Sequence, residues 1–193
     1  MILADQKTSA RTAGFAARAA AHRANSQTAP LQIRQFLTTF MADRPSTVIS
    51  GYLPIRSELD PRLAMAALHE AGHKLCVPVI QGAGLALKFR AWAPGCETEP
   101  GPFGAAVPVA GDWLEPSVLL CPLVAFDRSF YRLGYGGGFY DRSLAQLRAL
   151  QPVQAIGVAY DGQCASALPH DSTDQPMDAM VTETGLRWQS IAK

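Results

Sequence analysis

Residues 132–141 read RLGYGGGFYD, with four glycines within five positions. An apolar run at 118–126 precedes this segment, and a helix is predicted over 140–150. Because glycine has no Cβ, such a loop can turn its backbone N–H groups towards an anion and let it come close. A helix that begins at the loop adds the attraction of its N-terminal dipole for phosphate. The order of strand, glycine loop and helix predicts an α/β fold with a nucleotide phosphate site.

Charged residues stand at both ends of this loop. Arg132 supplies a fixed positive charge, and Asp141 supplies a hard oxygen that can hold Mg²⁺. The loop matches neither common phosphate fingerprint, because no lysine follows the glycines and Phe139 stands where G-x-G-x-x-G requires glycine. A flexible turn is the alternative, but four clustered glycines cost more backbone entropy than a plain turn requires. The phosphate site is the favoured interpretation.

The rest of the chain alternates helices and strands. Helices are predicted over 31–41 and 61–71, and strands over 47–53, 75–80, 86–92, 118–126 (one strand or a pair) and 153–160. Residues 97–116 are rich in glycine and proline and predict an exposed connection. Together these elements predict one domain over 1–193, a three-layer α/β fold with an open, mostly parallel sheet, helices on both faces and Rossmann-like topology. Ligands of such sheets bind beyond the carboxyl ends of the strands, and Glu58 and the glycine loop both follow predicted strands.

Composition excludes several classes of partner. The net charge of +1 gives no electrostatic reason to expect nucleic acid or an anionic membrane. No apolar stretch approaches the roughly 20 residues of a membrane span. The four cysteines contain no C-x-x-C pair, which favours free thiols in a reducing cytoplasm over disulfides or a zinc site. A cytoplasmic monomer that acts on small molecules is expected.

The N-terminal segment has two interpretations. Residues 6–42 are rich in alanine and contain five cations but no Asp or Glu, a composition typical of a mitochondrial transit peptide. Alternatively, they form a helix of the folded domain whose cations bind an anionic ligand. Lys7 and Arg11 stand at i and i+4, hence on one helical face about 6 Å apart. The second interpretation is favoured.

One motif points to a different chemistry. Residues 69–73 read HEAGH, the zinc-metalloprotease signature H-E-x-x-H. That chemistry needs His69 and His73 on one face of an unbroken helix, a third ligand, and Glu70 as base. Gly72 predicts the end of the helix inside the motif, and interaction with the C-terminal dipole explains both histidines. A zinc metallohydrolase is therefore the less favoured alternative.

The glycine segment as a whole resembles the signature of the 5-formyltetrahydrofolate cyclo-ligases, also called 5,10-methenyltetrahydrofolate synthetases. Other matches to that family run in order from residue 7 to residue 182. They are Lys7 and Arg11 (K-x-x-x-R), 52–54 (YLP) with 57–60 (SELD, the folate-side glutamate), 122–127 (PLVAFD, P-x-x-x-F-D) and 169–182 (PHDSTDQPMDAMVT, the Asp-rich segment). Ordered matches along the chain are far more specific than the loop alone.

The resemblance implies an ATP- and Mg²⁺-dependent cyclisation of 5-formyltetrahydrofolate to 5,10-methenyltetrahydrofolate, with release of ADP and phosphate. In the family the formyl oxygen attacks the γ-phosphate, and the phosphate is displaced when N10 closes the ring. No protein nucleophile is required, in agreement with the absence of a convincing Ser–His or Cys–His pair. Phosphoryl transfer then depends on positioning and charge neutralisation. A nucleotide- or folate-binding protein without turnover is the alternative.

The resemblance also implies a role for each residue that matches. Lys7, Arg11 and Arg132 are the candidate catalytic residues and contact the triphosphate, while Asp141 and Asp174 hold Mg²⁺. The other ATP-binding candidates are Leu133, Gly134, Tyr135, Gly136, Gly137, Gly138, Phe139 and Tyr140. The folate-binding candidates are Leu53, Glu58, Tyr135, Gly136, Gly137, Gly138 and Phe139.

Four positions depart from the family pattern. The first is Ala10, where the family commonly has leucine just before the arginine that Arg11 matches. Residues 104–108 read GAAVP where the family has a Gly-Ile-x-Glu-Pro run, so the glutamate is missing. Ser117 replaces the Asp that opens the following strand, and Phe130 replaces the glycine two positions before Arg132. None of these changes removes a residue assigned above.

Overall fold

The computed structural model describes residues 2–189. The helices are α1 (Leu3–Asn25), α2 (Ala29–Met41), α3 (Arg62–Glu70) and α4 (Phe139–Leu150). The strands are β1 (Val48–Ser50), β2 (Lys74–Ile80), β3 (Leu87–Ala91), β4 (Thr98–Pro100), β5 (Ala106–Pro108), β6 (Trp113–Leu114), β7 (Val118–Pro122), β8 (Ala125–Asp127), β9 (Arg132–Leu133), β10 (Gln154–Val158), β11 (Cys164–Ala165), β12 (Ala179–Thr182) and β13 (Gly185–Trp188).

Eight strands form the main sheet in the order β13-β12-β10-β7-β1-β2-β3-β6. The pairings that join β2, β1, β7, β10 and β12 are parallel, and those of β3, β6 and β13 are antiparallel. The central strand β7 is buried at four of its five positions, as expected for a strand covered on both faces. The predicted open, mostly parallel sheet is confirmed.

Helices cover both faces of this sheet. On one face, Leu37 of α2 and Leu68 of α3 pack in the same apolar core as Leu120 of β7. On the other face, Leu144 of α4 packs in a second core with Leu119, the neighbour of Leu120. The two leucines point to opposite faces because side chains alternate along a strand. The predicted three-layer arrangement is confirmed.

Two regions, the segment 97–116 and the edge strands β12 and β13, differ from the sequence-based prediction, whereas the run 118–126 follows one of its two alternatives. The segment 97–116 is mostly exposed, but it contains the β4–β5 hairpin and β6, which joins the edge of the main sheet. The run 118–126 is a strand pair, because the chain leaves the main sheet after Pro122 and β8 joins a second, smaller sheet. In addition, β12 and β13 at the other edge had no predicted counterpart.

The smaller sheet carries α1 and the glycine loop. It has the order β11-β8-β9, and β9 leads directly into the glycine loop. The predicted N-terminal helix is present as α1, which packs against β8, β9 and the 3₁₀ turn Asp161–Gln163. Gly14 permits this packing, because a Cβ there would stand 2.9 Å from Cγ1 of Val124. Among the helices of residues 2–189, none is both long enough and apolar enough to cross a membrane.

Candidate active site

A cavity of about 910 Å³ opens at the carboxyl ends of the parallel strands. Its walls include Leu53 just after β1, Ile80 at the end of β2 and Pro122 at the end of β7. The other walls come from α1, the glycine loop and residues 172–175. This is the edge at which open α/β sheets bind ligands.

The glycine loop, residues 134–138, lies between β9 and α4 and lines the cavity along its whole length. Gly136 has φ 101°, a conformation that L side chains rarely adopt, so the loop requires glycine there. Side chains hold the loop by its carbonyl groups. Arg11 Nε donates to the Gly134 carbonyl oxygen at 2.9 Å, and Arg142 Nη2 donates to that of Gly137 at 2.6 Å. The loop is therefore fixed from two sides.

The two charged residues at the ends of the segment 132–141 contact each other. Nη2 of Arg132 donates to Oδ1 of Asp141 at 2.9 Å. Nη1 of Arg132 donates to the carbonyl oxygen of Gln175 at 2.6 Å, and the backbone N–H of Gln175 donates to the same Asp141 oxygen at 3.0 Å. The side chain of Arg132 is only 4% exposed. These bonds join the glycine loop to the Asp-rich segment.

Lys7 reaches the Asp-rich segment from α1. Its Nζ lies 2.6 Å from Oδ2 of Asp174 and 3.0 Å from Oδ2 of Asp171. Partial burial lowers the pKa of Lys7, but the hydrogen bonds and charges of the two aspartates outweigh it and raise the pKa above its ordinary value. The pKa of Asp171 is held below its usual range by Thr173 and then by Lys7. Lys7 is therefore fully charged at neutral pH.

The two proposed metal ligands fit a Mg²⁺ ion that is completed by phosphate and water. Asp141 and Asp174 both line the cavity, and Gln175, the neighbour of Asp174, binds Asp141. Both hydrogen bonds to Asp141 use Oδ1, which leaves Oδ2 for a cation. Residues 2–189 contain no group of three or more His, Cys, Asp or Glu that could hold a metal. A Mg²⁺ site needs only one or two carboxylates when phosphate oxygens and water supply the rest.

The opposite wall of the cavity carries Glu58, which is 6% exposed. Its Oε2 accepts from the backbone N–H of Ile55 at 2.9 Å, and its Oε1 accepts from the hydroxyl of Tyr135 at 3.0 Å. Burial raises the pKa of Glu58, whereas the Ile55 bond and the charge of Arg18 lower it. Burial also raises the pKa of Tyr135 to about 12, so its hydroxyl keeps the proton that it donates.

Two residues at or behind the cavity wall were not identified from the sequence. Arg18 is buried beside Glu58, with Nη1 3.8 Å from Oε1. Its spacing of seven residues from Arg11, which puts both on one side of α1, is a signal that could have found it. Phe103 is 75% exposed between β4 and β5, lines the cavity, and lies 6.3 Å from the ring of Phe139. No local sequence pattern indicates that Phe103 lines a cavity, because no strand was predicted in the segment 97–116.

Tyr140 also lines the cavity, and its hydroxyl lacks a partner. The hydroxyl oxygen is buried and makes no hydrogen bond to the described residues. The ring lies 5.9 Å from the guanidinium of Arg132. Buried hydroxyl groups are usually hydrogen-bonded. A ligand bound in the cavity would supply the acceptor that the Tyr140 hydroxyl lacks.

The HEAGH motif does not assemble a zinc site in the described part of the chain. Helix α3 ends at Glu70, so His73 lies beyond the helix that carries His69. Nδ1 of His73 accepts from the backbone N–H of Thr47 at 3.3 Å, and burial lowers the pKa of His73. These contacts support a structural role for His73, and His69 lies in the last turn of α3, where the helix dipole favours it. All four cysteines are free thiols, as expected.

The residues and their order around the cavity can be compared with known proteins. A model of the 5-formyltetrahydrofolate cyclo-ligase family matches residues 4–183. The chain belongs to this family. It is therefore an enzyme, a ligase, and the resemblance seen in the sequence is confirmed.

Relatives and solved structures agree with the assignment. The 5-formyltetrahydrofolate cyclo-ligase of Escherichia coli (strain K12) is 36% identical over 141 residues, which cover 69% of this chain and 76% of that protein. The protein of the same name from Mycolicibacterium smegmatis is 32% identical over 144 residues, covering 69% and 72%. A 5,10-methenyltetrahydrofolate synthetase structure from Mycoplasma pneumoniae gives a TM-score of 0.72 at 25% identity, covering 92% of this chain and 98% of that one. The synthetase from Aquifex aeolicus gives 0.68 at 24% identity, covering 100% and 95%, and shows the shared fold.

Proposed function

We propose that this cyclo-ligase converts 5-formyltetrahydrofolate to 5,10-methenyltetrahydrofolate with ATP and Mg²⁺, releasing ADP and phosphate. One observation carries the proposal. Lys7, Arg11, Arg132 and Asp141 surround the same cavity that Glu58 lines from another wall. A single cavity with a cationic, glycine-rich wall and a buried carboxylate fits a triphosphate and a pterin side by side.

The nucleotide is assigned to the wall formed by α1, the glycine loop and the Asp-rich segment. Lys7, Arg11 and Arg132 neutralise phosphate charge, and the loop, residues 134–138, supplies backbone N–H groups at the start of α4. Asp141 and Asp174 are assigned to Mg²⁺, which supplies further charge neutralisation when bound. Leu133 and Tyr140 complete this wall, with the Tyr140 hydroxyl available to a ligand acceptor.

The folate is assigned to the wall around Glu58. A buried carboxylate beside a guanidinium is a strong acceptor for the N–H groups of a pterin ring. Leu53, Tyr135 and Phe139 provide apolar and aromatic surface against the flat ring system. Because Tyr135 also belongs to the glycine loop, the loop connects the two binding sites.

The chemistry requires positioning more than a reactive side chain. The formyl oxygen forms a bond to the γ-phosphorus as the bond to ADP breaks. N10 then bonds to the formyl carbon and releases its proton to solvent, and the C–O bond breaks to release phosphate, which leaves the methenyl bridge between N5 and N10. Burial raises the pKa of the Cys76 and Cys121 thiols to about 12, so neither is a nucleophile at neutral pH. Lys7, Arg11 and Arg132 hold the phosphates in line and stabilise their charge.

Incubation of the protein with 5-formyltetrahydrofolate and Mg-ATP tests the proposal. We expect methenyl product, followed by absorbance, with one ADP released per product and no turnover in the presence of a chelator. Thermal stabilisation by both ligands without ADP release would instead identify a binding protein without turnover. The proposal includes one domain acting as a monomer in the cytoplasm, and a sizing experiment on the same preparation checks the monomer.

A further inference from the structure

Arg18 is among the most buried side chains of the protein, with 1% exposure. Nη1 forms an ion pair with Oε1 of Glu58 at 3.8 Å and donates to the carbonyl oxygen of Leu123 at 3.4 Å. Nε donates to Oγ of Ser57 at 3.2 Å. A fully buried arginine is rare unless it is paired, because taking a charge out of water is costly. Glu58 is the carboxylate that provides this pairing.

The same guanidinium also holds the ring of Tyr135. Its Cζ lies 5.4 Å from the ring centroids of both Phe15 and Tyr135, and these rings lie 5.5 Å apart. Guanidinium groups at this distance attract aromatic faces, more strongly where water is excluded. Tyr135 in turn donates its hydroxyl proton to the Glu58 oxygen that faces Arg18. Arg18, Tyr135 and Glu58 thus form one connected unit.

Arg18 acts from behind the cavity wall. Glu58 and Tyr135 line the cavity, whereas Arg18 contacts them from within the protein. We propose that Arg18 is a positioning residue that holds the Glu58 carboxylate and the Tyr135 ring in the orientation that recognises the folate. This inference rests on the proposed cyclo-ligase activity.

The charge of Arg18 sets the pH range in which Glu58 is an acceptor. Burial raises the pKa of Glu58 and Arg18 opposes that rise, so removal of Arg18 raises the pKa further. Below its pKa the carboxyl is protonated, and the acceptor is lost as pH falls. The titratable and charged groups around Glu58 are Arg18 from α1, Tyr135 from the glycine loop, Tyr140 from α4, Tyr52 after β1, and Arg56 and Asp60 from its own segment.

Steady-state kinetics of Arg18→Met and Arg18→Lys test the inference, with Arg23→Met, an exposed arginine of the same helix, as the matched control. For Arg18→Met we expect the KM for folate to rise on the order of tenfold, because a charged contact to Glu58 is lost. The acid limb of kcat/KM for folate should move to higher pH, and the KM for ATP should change less than the KM for folate. Arg18→Lys should restore the acid limb but only part of the KM, because lysine lacks the planar guanidinium. Arg23→Met should match the wild type.

The inference is wrong if the acid limb does not move in Arg18→Met, or if the KM values for ATP and folate rise equally. Arg18 is then a purely structural residue. If Arg18→Met unfolds, the double variant Arg18→Met/Glu58→Gln decides. Neutral glutamine needs no buried cation, so the double variant should melt at a higher temperature than Arg18→Met alone. If the double variant melts at the same temperature as Arg18→Met or lower, Arg18 and Glu58 do not stabilise each other as a pair. If the wild type makes no methenyl product, the proposed function fails, but the melting comparison still tests the Arg18–Glu58 pair.

Discussion

The two walls of the cavity hold their charges in different ways. On the nucleotide wall, Lys7 and Arg132 are paired with Asp174 and Asp141, the carboxylates that are assigned to the metal. On the folate wall, Glu58 is nearly inaccessible, and its cation, Arg18, is more deeply buried still. The pairs of the first wall have carboxylates that reach the cavity surface, 19% exposed in Asp174 and 24% in Asp141, although Arg132 itself is only 4% exposed. The second wall encloses both partners of its charged pair inside the protein.

This difference indicates two modes of recognition. The surface pairs can exchange partners, because phosphate oxygens can replace carboxylates on Lys7 and Arg132, and a cation can replace Lys7 on Asp174. The enclosed pair cannot exchange without leaving a buried charge unpaired, which is strongly destabilising. We therefore expect the nucleotide wall to rearrange on binding and the folate wall to be preorganised. Substitutions on the two walls should differ accordingly.

The largest effect is expected for Asp141→Asn. This change keeps the size of the side chain but removes the charge that we assign to Mg²⁺ binding, and we expect Mg²⁺-dependent turnover to fall by about 100-fold or more. Asp178→Asn is the matched control, because Asp178 pairs with Arg148 and the Ala155 N–H and does not line the cavity. Turnover of Asp141→Asn and Asp178→Asn, measured across a Mg²⁺ titration, is the test, and only Asp141→Asn should lose activity. Unchanged turnover in Asp141→Asn would remove Asp141 from the site.

Lys7→Met tests whether the surface pairs serve the nucleotide. The lost charge should raise the KM for ATP by about tenfold to 100-fold and leave the KM for folate nearly unchanged. Lys74→Met changes an exposed lysine of β2 in the same way and should have no effect on either constant. If both KM values rise together in Lys7→Met, the two walls are not independent and the comparison fails.

Substitutions in the glycine loop test its backbone conformation. Gly136→Ala places a Cβ at φ 101° and should lower the free energy of unfolding by about 1–2 kcal/mol. Gly134→Ala is the control, because no atom stands within 4 Å of a Cβ built there. Its free energy of unfolding should stay within about 0.5 kcal/mol of the wild type. Denaturant unfolding of both variants provides the measurement, and equal losses would contradict the conformational argument.

The smallest effect concerns Phe130, which replaces a glycine of the family pattern. Phe130 has φ 66°, the left-handed region that favours glycine, and its side chain packs against the core beneath α4. Phe130→Ala and Phe130→Gly both lose that packing, but only the glycine variant loses the strain. We expect Phe130→Gly to be about 1 kcal/mol more stable than Phe130→Ala in denaturant unfolding. The reverse order would show that no strain is stored there.

The layered fold was predictable because its signals are local. The apolar run before the glycine loop and the helical periodicity after it each depend on neighbouring residues. The strands β12 and β13 were missed because four-residue strands show little periodicity, and the segment before them is rich in aspartate and proline. The formation of β12 depends on pairing with β10, which is distant in sequence, and β13 in turn pairs with β12.

The candidate site could also be predicted in part, because its main signals are local in the sequence. The glycine loop, Arg132 and Asp141 are contiguous, and the structure brings Lys7, Arg11 and Asp174 to the same cavity as the resemblance implies. The spacing of Arg18 from Arg11 places both on one side of α1, but the burial of Arg18 could not be predicted, because it depends on Glu58 and Tyr135, which approach it only in the folded chain. Roles within the cavity remain predictions for the experiments above.

Helix α1 packs closely at Gly14 but buries little of the rest of its surface, and this has a consequence for its motion. Of the 23 residues of α1, only Gly14 and Arg18 are buried, so few apolar contacts hold the helix. The partly exposed ion pairs of Lys7 with Asp171 and Asp174 help to fasten α1, and such pairs weaken as ionic strength rises. Amide hydrogens of α1 should therefore exchange with deuterium before those of the central strands, and faster in high salt. Binding of both substrates should slow that exchange, since α1 also carries Lys7 and Arg11 at the cavity.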